Sequence, residues 1–256
     1  DNADNLKRID MHECHIMHFY SRSMPKLISL NLNDNALLDF EDGNYPAMTY
    51  FYIANNYLTE LDITKYPKLY QFTCAGNDIT TINPSNCPEL ISFNISDNKI
   101  KTVDLSNNKA ITNLYVQDNQ LTKIDFTGCS NIQYVNVSNN PVTFVDLTNA
   151  YYLRSFEAAG TQCEFFYFNY VNPYGRFNTV DMRNNVNMTS ASLSATFKTM
   201  PCISSGSGNV YIEGSNGEHS NTSYLTGIDM GWTVDVTGDG TATNDDLNVT
   251  VDATNT

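Results

Sequence analysis

The sequence repeats itself every 21 residues over most of its length. Each repeat starts at an apolar residue, found at Leu6, Leu27, Met48, Leu69, Leu90, Ile111, Ile132 and Leu153. The positions three, five, ten and thirteen residues after each start are also apolar in every one of these repeats. Because only 41% of the chain is hydrophobic, chance does not explain this agreement. Such a period indicates a solenoid, in which each turn buries its apolar side against the next turn.

The ninth position of the repeat forms a column that is mostly asparagine. It is formed by Asn35, Asn56, Asn77, Asn98, Asn119 and Asn140, with Cys14 and Thr161 in the flanking repeats. An inward asparagine at this point can hydrogen-bond the backbone groups of the turn that follows each strand. We therefore expect the asparagines to stack, repeat over repeat.

The resulting pattern, L-x-x-L-x-L-x-x-N-x-L, resembles the leucine-rich-repeat family. Examples are LISLNLNDNAL (27–37) and ITNLYVQDNQL (111–121). The second half of each repeat has nearly the same L-x-x-L-x-L spacing, as in LTELDI (58–63). This is similar to the short bacterial class of the family, and it covers roughly residues 6 to 232. The resemblance implies an α/β solenoid that is mostly β. It would be a right-handed coil with short parallel strands and a C-terminal cap that contains a helix.

Three segments are expected along the chain. Residues 1–187 hold about nine leucine-rich repeats, residues 188–232 form the C-terminal cap, and residues 233–256 form an acidic tail with a candidate calcium loop.

The spacing of the repeat breaks after Phe168 and resumes at Phe177. The stretch MTSASLSATFKTMP (188–201) then predicts a helix that Thr189 or Ser190 caps and Pro201 ends. Leu193, Phe197 and Met200 would share one face of this helix, and NVYIEG (209–214) predicts a further strand. Trp232 is expected to cover the end of the core rather than to contact a ligand.

The charge balance argues against two classes of partner. Acidic residues outnumber basic ones 28 to 14, which gives a formal net charge of −14. This charge repels phosphate backbones and anionic lipid, so we expect neither nucleic-acid binding nor membrane insertion. A monomer is expected. An extracellular or cell-surface location is implied only by the resemblance to bacterial surface repeat proteins, since no signal peptide opens this chain and a trimmed chain would lack one.

The positions of the six cysteines in the repeat argue against a set of disulfide bridges. Cys74 and Cys163 occupy core positions, and Cys87 and Cys129 hold the same position two repeats apart. Strands stack roughly 4.8 Å apart, so the last two would lie about 10 Å apart, whereas a disulfide needs less than about 7 Å between its Cα atoms. We expect buried free thiols, with a bridge from Cys163 to Cys202 left open.

The segment from His12 to His18 holds three histidines, Glu13 and Cys14, and this set could bind zinc or another transition metal. The repeat register points Cys14 and Ile16 inward and leaves His12 and His18 exposed. The alternative interpretation is ordinary surface histidines on a weakly capped first repeat.

The tail resembles the calcium loop of dockerins and EF-hands. That resemblance implies metal ligands at Asp235, Thr237, Asp239, Thr243 and Asp246, with Gly240 at the sharp bend of the loop. Thr237 departs from the usual Asn or Asp, and 248–256 does not read as the helix that should follow. The alternative is an acidic hairpin or linker without calcium.

The exposed side of the strands is the favoured ligand-binding surface. It carries tyrosines at Tyr50, Tyr52, Tyr70, Tyr115 and Tyr134. Tyrosine offers a large contact area at low entropic cost and, with Asn and Gln nearby, suits a protein or a glycan. Cross-strand stacking alone could also retain these residues.

An acidic column is formed by Glu41, Asp62, Asp104, Asp125 and Asp146, and it is interpreted as a solvated polar edge. The sequence contains neither a nucleophile elbow nor a phosphate-binding glycine loop. It therefore predicts a non-enzymatic binding or adhesion module of a bacterial surface or secreted protein, without a cofactor other than the candidate calcium. The alternatives are a metal-dependent enzyme that uses His12 to His18, and a structural spacer.

Overall fold

The computed structural model describes residues 3–41, 43–168, 177–201, 208–215 and 232–235. Its strands are β1 (Arg8–Asp10), β2 (His18–Tyr20), β3 (Ser29–Asn31), β4 (Asp39–Glu41), β5 (Tyr50–Tyr52), β6 (Gln71–Thr73), β7 (Ser92–Asn94), β8 (Asn113–Tyr115), β9 (Tyr134–Asn136), β10 (Val145–Asp146), β11 (Ser155–Glu157), β12 (Phe166–Tyr167), β13 (Thr179–Asp181), β14 (Asn209–Tyr211) and β15 (Thr233–Asp235). The helix α1 spans Ser190–Thr199.

Within the described ranges, the strands of the first half-repeat form one parallel sheet of 11 strands, in the order β1-β3-β5-β6-β7-β8-β9-β11-β13-β14-β15. The second half-repeats contribute two short parallel pairs, β2 with β4 and β10 with β12. The register follows the period, because Leu30 lies beside Phe51 and Phe51 beside Phe72. The predicted solenoid of short parallel strands is confirmed.

The apolar columns form one continuous core inside the coil. Each central strand buries its middle residue and leaves the residues on either side half-buried. Phe51, Phe72 and Phe93 therefore lie one above the next, with ring centroids 5.6 and 5.9 Å apart. Full burial of each such side chain contributes about 1.5–3 kcal/mol. The core therefore grows turn by turn, and every turn depends on its neighbours.

The predicted asparagine ladder is confirmed. The Nδ2 of Asn56 donates to the carbonyls of Ile53 and Ala54 in its own turn and to that of Leu32 in the preceding turn. Its Oδ1 accepts from the backbone N–H of Leu37 at 2.9 Å, also in the preceding turn. The same arrangement recurs at Asn77, Asn98, Asn119 and Asn140. Each asparagine thus joins two turns through buried backbone groups.

The residue before each ladder position adopts the left-handed backbone conformation. The column runs through Glu13, Asp34, Asn55, Gly76, Asp97, Asp118, Asn139, Gly160, Asn184 and Gly214, with φ between 52° and 71°. Glycine, Asn and Asp tolerate this region better than other residues do. The turn therefore explains why this column is so rich in Asn, Asp and Gly, and Glu13 is its exception.

The helix α1 confirms the prediction for 188–201. Thr189 is the N-cap, its Oγ1 accepting from the N–H of Ser192 at 3.2 Å, and Leu193, Phe197 and Met200 are buried. The helix lies against β12, where the Thr196 hydroxyl accepts from the N–H of Phe166 at 3.1 Å. It thereby takes the place that the next strand of the second half-repeat would occupy.

The sheet continues beyond the helix through β14 and β15. Trp232 is buried, its Nε1 donates to the carbonyl of Pro201 at 3.1 Å, and its ring packs edge-on against Phe177 at 5.2 Å. This position fits the covering role expected for Trp232. The structure also assigns 233–235 to a strand of the sheet, whereas the sequence had placed these residues in the tail.

The first turn departs from the predicted core pattern. Leu6 and Met11 are 41% and 38% exposed, and Ile16 is only partly buried. Cys14 is exposed, so the expectation of a buried thiol does not hold at this position. The physical reason is that, among the described residues, no turn packs against this end of the coil. None of the helices in the described ranges has the length and apolar character needed to cross a membrane.

Candidate functional site

The outer face of the 11-stranded sheet is built by the first and third residues of each strand. Alternation along a strand sends the middle residue into the core and its two neighbours to the opposite side. In β5 the buried Phe51 is flanked by Tyr50 and Tyr52, both half-buried. Strand geometry thus places four of the predicted tyrosines on this face, and Tyr70, which directly precedes β6, joins them through its contact with Tyr50.

Three of the five tyrosines form one group. The rings of Tyr50 and Tyr70 meet edge to face, with centroids 6.3 Å apart. The hydroxyl of Tyr52 donates to Oε1 of Gln71 at 2.9 Å, and burial raises the pKa of Tyr52. The group combines ring faces and fixed hydroxyls, and therefore offers both apolar contact and hydrogen bonding.

The other two tyrosines lie further along the same face. Tyr115 ends β8 and Tyr134 begins β9, while β7 lies between them and the first group. The amide of Asn113 donates to the Tyr115 hydroxyl at 3.4 Å, and Tyr134 is exposed. The tyrosines therefore span β5 to β9, about 19 Å at a strand spacing of about 4.8 Å.

A charged group that the sequence analysis did not single out follows on the C-terminal strands. Arg183 binds Asp181 through two nitrogens at 2.6–3.1 Å, and its guanidinium lies 5.7 Å from the centroid of the Tyr211 ring. Burial and the neighbouring Asp181 raise the pKa of Glu157, which accepts from Asn136 at 2.6 Å. Asn136, Glu157, Asp181 and Tyr211 end consecutive strands of the sheet and Arg183 follows β13, and the alternation along the strands was the signal available in the sequence.

The histidines from His12 to His18 are not brought together as a metal site. His12 Nδ1 lies 2.7 Å from Asp10, and the hydrogen bond to that carboxylate raises the pKa of His12. His18 Nδ1 lies 2.8 Å from Asp39, beside the separate pair of strands β2 and β4. Among the described residues, no three His, Cys, Asp or Glu side chains form a group that could hold a metal ion.

The acidic column has a local structural role. The carboxylates of Asp62, Asp104, Asp125 and Asp146 each accept from the backbone N–H two residues later, at 2.8–2.9 Å. At three of these positions the threonine that follows also donates its hydroxyl. These side-chain-to-backbone turns explain why an acidic residue recurs at this position in most repeats.

The candidate calcium loop lies largely outside the described residues. Asp235 is the last residue of β15, and its backbone position pairs with Tyr211. Thr237, Asp239, Thr243 and Asp246 lie beyond the described ranges. Calcium binding at this loop stays a prediction, and thermal unfolding with calcium and with a chelator tests it.

Buried cysteines are free thiols in the described part of the chain. Cys74, Cys87, Cys129 and Cys163 are buried and unpaired with one another, as expected. Burial raises the pKa of Cys129 and of Cys163 to about 11, so both thiols stay protonated at neutral pH. The proposed partner of Cys163, Cys202, lies outside the described residues.

Fold and face together define a leucine-rich-repeat solenoid with an exposed, tyrosine-bearing sheet. No family model matches the chain, and no curated protein matches it either. Among solved structures it is similar to the functional domain of InlJ from Listeria monocytogenes, which includes a cysteine ladder. The two are 20% identical with a TM-score of 0.65, and the match covers 83% of this chain and 50% of that one.

A leucine-rich-repeat protein of Leptospira interrogans also matches, at 11% identity and a TM-score of 0.49, with coverage of 82% of this chain and 72% of that protein. An internalin, InlF, from Listeria monocytogenes matches at 21% identity and a TM-score of 0.47, with coverage of 61% and 55%. This chain spans half the length of the InlJ domain. At such low identity the likeness to InlJ establishes the fold alone.

Proposed function

We propose that this chain is a non-enzymatic binding module that recognises a protein or a glycan through the outer face of its 11-stranded sheet. The observation that carries the proposal is the group of Tyr50, Tyr52 and Tyr70 on the outer face of the sheet, in which the rings of Tyr50 and Tyr70 are in contact and the Tyr52 hydroxyl is held by Gln71. Aromatic side chains held by neighbouring strands lose little conformational freedom on binding, which favours affinity.

The continuous sheet supports the proposal. Its strands hold the tyrosines, the asparagines of β7 to β9 and the charged group around Arg183 in one surface. A rigid scaffold that presents polar and aromatic side chains over several strands suits a partner with an extended contact area. Nothing in the described residues points to catalysis.

The partner is identified by screening and assigned to the face by substitution. The purified chain is applied to a glycan array and to a panel of cell-surface proteins. Each interaction found is then measured again with a variant that carries Tyr50→Ser and Tyr70→Ser. We expect affinity to fall by at least roughly tenfold, because both rings lie in the proposed contact.

Tyr57→Ser is the matched control, because Tyr57 is exposed but lies outside the strands of the face. This control should bind as the unaltered chain does. Equal affinity of the double variant and the unaltered chain for every ligand found would exclude the tyrosine face as the site. If the unaltered chain binds nothing in either screen, the spacer hypothesis becomes the better explanation.

We also propose an extracellular or cell-surface location, which is supported by the likeness of the fold to internalin-type structures. Protease treatment of intact cells of the source organism, followed by immunoblotting, tests this location. Cleavage in intact cells is expected, and protection until lysis would argue for an internal protein.

A further inference from the structure

Three aromatic side chains cluster on the second half-repeats, apart from the tyrosine face. The rings of Phe165 and Tyr167 lie 4.6 Å apart, and those of Phe144 and Tyr167 lie 5.7 Å apart. Phe144 is 49% exposed and Tyr167 is 37% exposed. Exposed aromatic side chains that contact one another form an apolar patch, and such patches commonly mark interaction sites.

A furrow leads along the coil to this patch. One recess has a volume of about 520 Å³, and its lining includes Asp104, Lys123 and Asp125. A second recess has a volume of about 380 Å³, and its lining includes Lys123, Asp125, Phe144 and Asp146. The recesses share Lys123, Asp125 and Thr127, so they follow one another along the coil. This elongated shape suits an extended chain.

The furrow carries a regular row of negative charge. Asp104, Asp125 and Asp146 occupy the same position in consecutive turns, and Lys123 is a basic residue among them. The hydrogen bonds from Thr127 lower the pKa of Asp125, and those from Ser106 lower the pKa of Asp104, so both carboxylates stay ionised near neutral pH.

The turn bonds leave part of each carboxylate available. In Asp125 and Asp146 the bonds from the backbone and hydroxyl of the following threonine both fall on Oδ1, so Oδ2 can accept from a partner, and the backbone bond from Ser106 likewise falls on Oδ1 of Asp104. The carboxylate row ends at Tyr167, which pairs with Asp146 in the register of β10 and β12. Carboxylates beside exposed aromatic faces favour lysine and arginine, which form ion pairs and cation–π contacts.

We propose that this furrow binds an extended peptide segment rich in lysine or arginine. Cationic side chains of the segment pair with Asp104, Asp125 and Asp146, and one of them stacks on Phe144 or Tyr167. The net charge of −14 attracts such a segment at long range. The furrow is separate from the outer face of the 11-stranded sheet that carries the tyrosines, so each proposal can fail without the other.

The test uses a fluorescently labelled peptide of four arginine–glycine repeats, with both ends blocked, and measures its dissociation constant by anisotropy. We expect two variants each to weaken binding by at least roughly fivefold. One replaces both exposed rings, Phe144→Ser with Tyr167→Ser, and the other is Asp125→Asn. Lys123→Gln should strengthen binding by about threefold, because it removes the competing positive charge.

Asp97→Asn is the matched control, because it removes one exposed negative charge outside the furrow and should change affinity by less than about twofold. Circular dichroism checks that each variant is folded. Asp125→Asn should fold normally, since Asn83 holds the same position and accepts from the N–H of Ser85 at 3.0 Å.

Several outcomes would overturn the proposal. If the peptide does not bind, or if Asp97→Asn weakens binding as much as Asp125→Asn does, the furrow is not a specific site. Self-association of the chain that is lost with the Phe144 and Tyr167 substitutions would show that a second copy covers the patch. Binding of maltohexaose that depends on Phe144, without binding of the peptide, would show a glycan site instead.

Discussion

A ladder asparagine satisfies backbone groups of two turns at once. The Nδ2 of Asn98 donates to the carbonyls of Ile95 and Ser96 in its own turn and of Cys74 in the preceding one, at 3.0–3.2 Å. Its Oδ1 accepts from the N–H of Ile79 at 2.9 Å. Only a side chain with two donors and an acceptor at this length can make all of these bonds.

We expect Asn98→Ala to lower the free energy of unfolding by about 2–4 kcal/mol, because it leaves several buried backbone groups without a partner. Urea denaturation followed by circular dichroism measures the loss. Asn107→Ala is the control, because Asn107 is an exposed turn residue, and it should cost less than about 0.5 kcal/mol. Similar losses for the two variants would show that the ladder does not stabilise the coil as described.

The acidic column can be tested at Asp62. Its Oδ1 accepts from the N–H and hydroxyl of Thr64, and these bonds lower the pKa of Asp62 below its ordinary value of 3.8. An acid whose pKa is lower in the folded state stabilises the protein above its unfolded pKa. This contribution is lost as the pH falls through the folded pKa.

We therefore expect Asp62→Asn to unfold at a slightly lower urea concentration than the unaltered chain at pH 7, because the charged acceptor is lost, and to lose less stability between pH 5 and about pH 2.5. Asn83 already makes the equivalent bond in the next turn. Asp62→Ala removes the turn bond and should be destabilised at pH 7 as well. Parallel losses of stability with acid for the unaltered chain and Asp62→Asn would refute the role of this carboxylate in the acid dependence.

At the scale of the elements, a helix ends the row of second half-repeats. The Thr199 hydroxyl accepts from the N–H of Phe168 at 3.1 Å and shares its hydrogen between the carbonyls of Thr196 at 2.8 Å and Phe166 at 3.3 Å. The Thr196 hydroxyl accepts from the N–H of Phe166. Hydroxyl groups on one face of α1 thus form hydrogen bonds with the backbone groups along the edge of β12. An exposed strand edge would otherwise invite pairing with another chain.

Thr196→Val keeps the size of the side chain and removes the acceptor for Phe166. We expect a loss of about 1–3 kcal/mol in the free energy of unfolding, because the Phe166 N–H is left unpaired. Hydrogen exchange should accelerate at the Phe166 amide in particular. Lys198→Ala, on the exposed side of α1, should leave that amide protected. Unchanged exchange at Phe166 in Thr196→Val would mean that the helix does not pair with this edge.

The helix also shows which features a sequence reveals. Its bounds were predictable because Thr189 and Pro201 are local signals. Its contact with β12 was not, because the spacing of the repeat breaks after Phe168 and the contact joins residues on either side of that break. The cluster of Phe144, Phe165 and Tyr167 was missed for a similar reason. It depends on stacking between two turns at positions where most earlier turns carry polar or charged residues.

At the scale of the whole molecule, the period determined most of what could be predicted. Because identical positions stack, the 21-residue repeat predicts the sheet, the core and the asparagine ladder together. The tyrosine face follows from alternation along the strands, although a ligand for it cannot be read from the sequence. The ends of the coil are different, because burial there depends on a neighbouring turn, as the exposure of Cys14 shows.

Two leucines at the same position of the repeat measure this end effect. Leu69 is fully buried between neighbouring turns, whereas Leu6 is 41% exposed at the N-terminal end. Leu69→Ala should lower the free energy of unfolding by about 2–5 kcal/mol, because it removes packed methyl groups and leaves a cavity. Leu6→Ala should cost less than about 1 kcal/mol, because much of that surface is already in contact with water.

Urea denaturation of both variants, combined with sedimentation at several protein concentrations, separates the explanations. A large concentration-independent loss for Leu6→Ala would contradict the open first turn described here. A large loss that appears only at high concentration would instead mean that copies of the chain associate through their N-terminal ends. In a solenoid each turn is stabilised mainly by its neighbours, so the difference between these two leucines measures what one neighbouring turn contributes to the next.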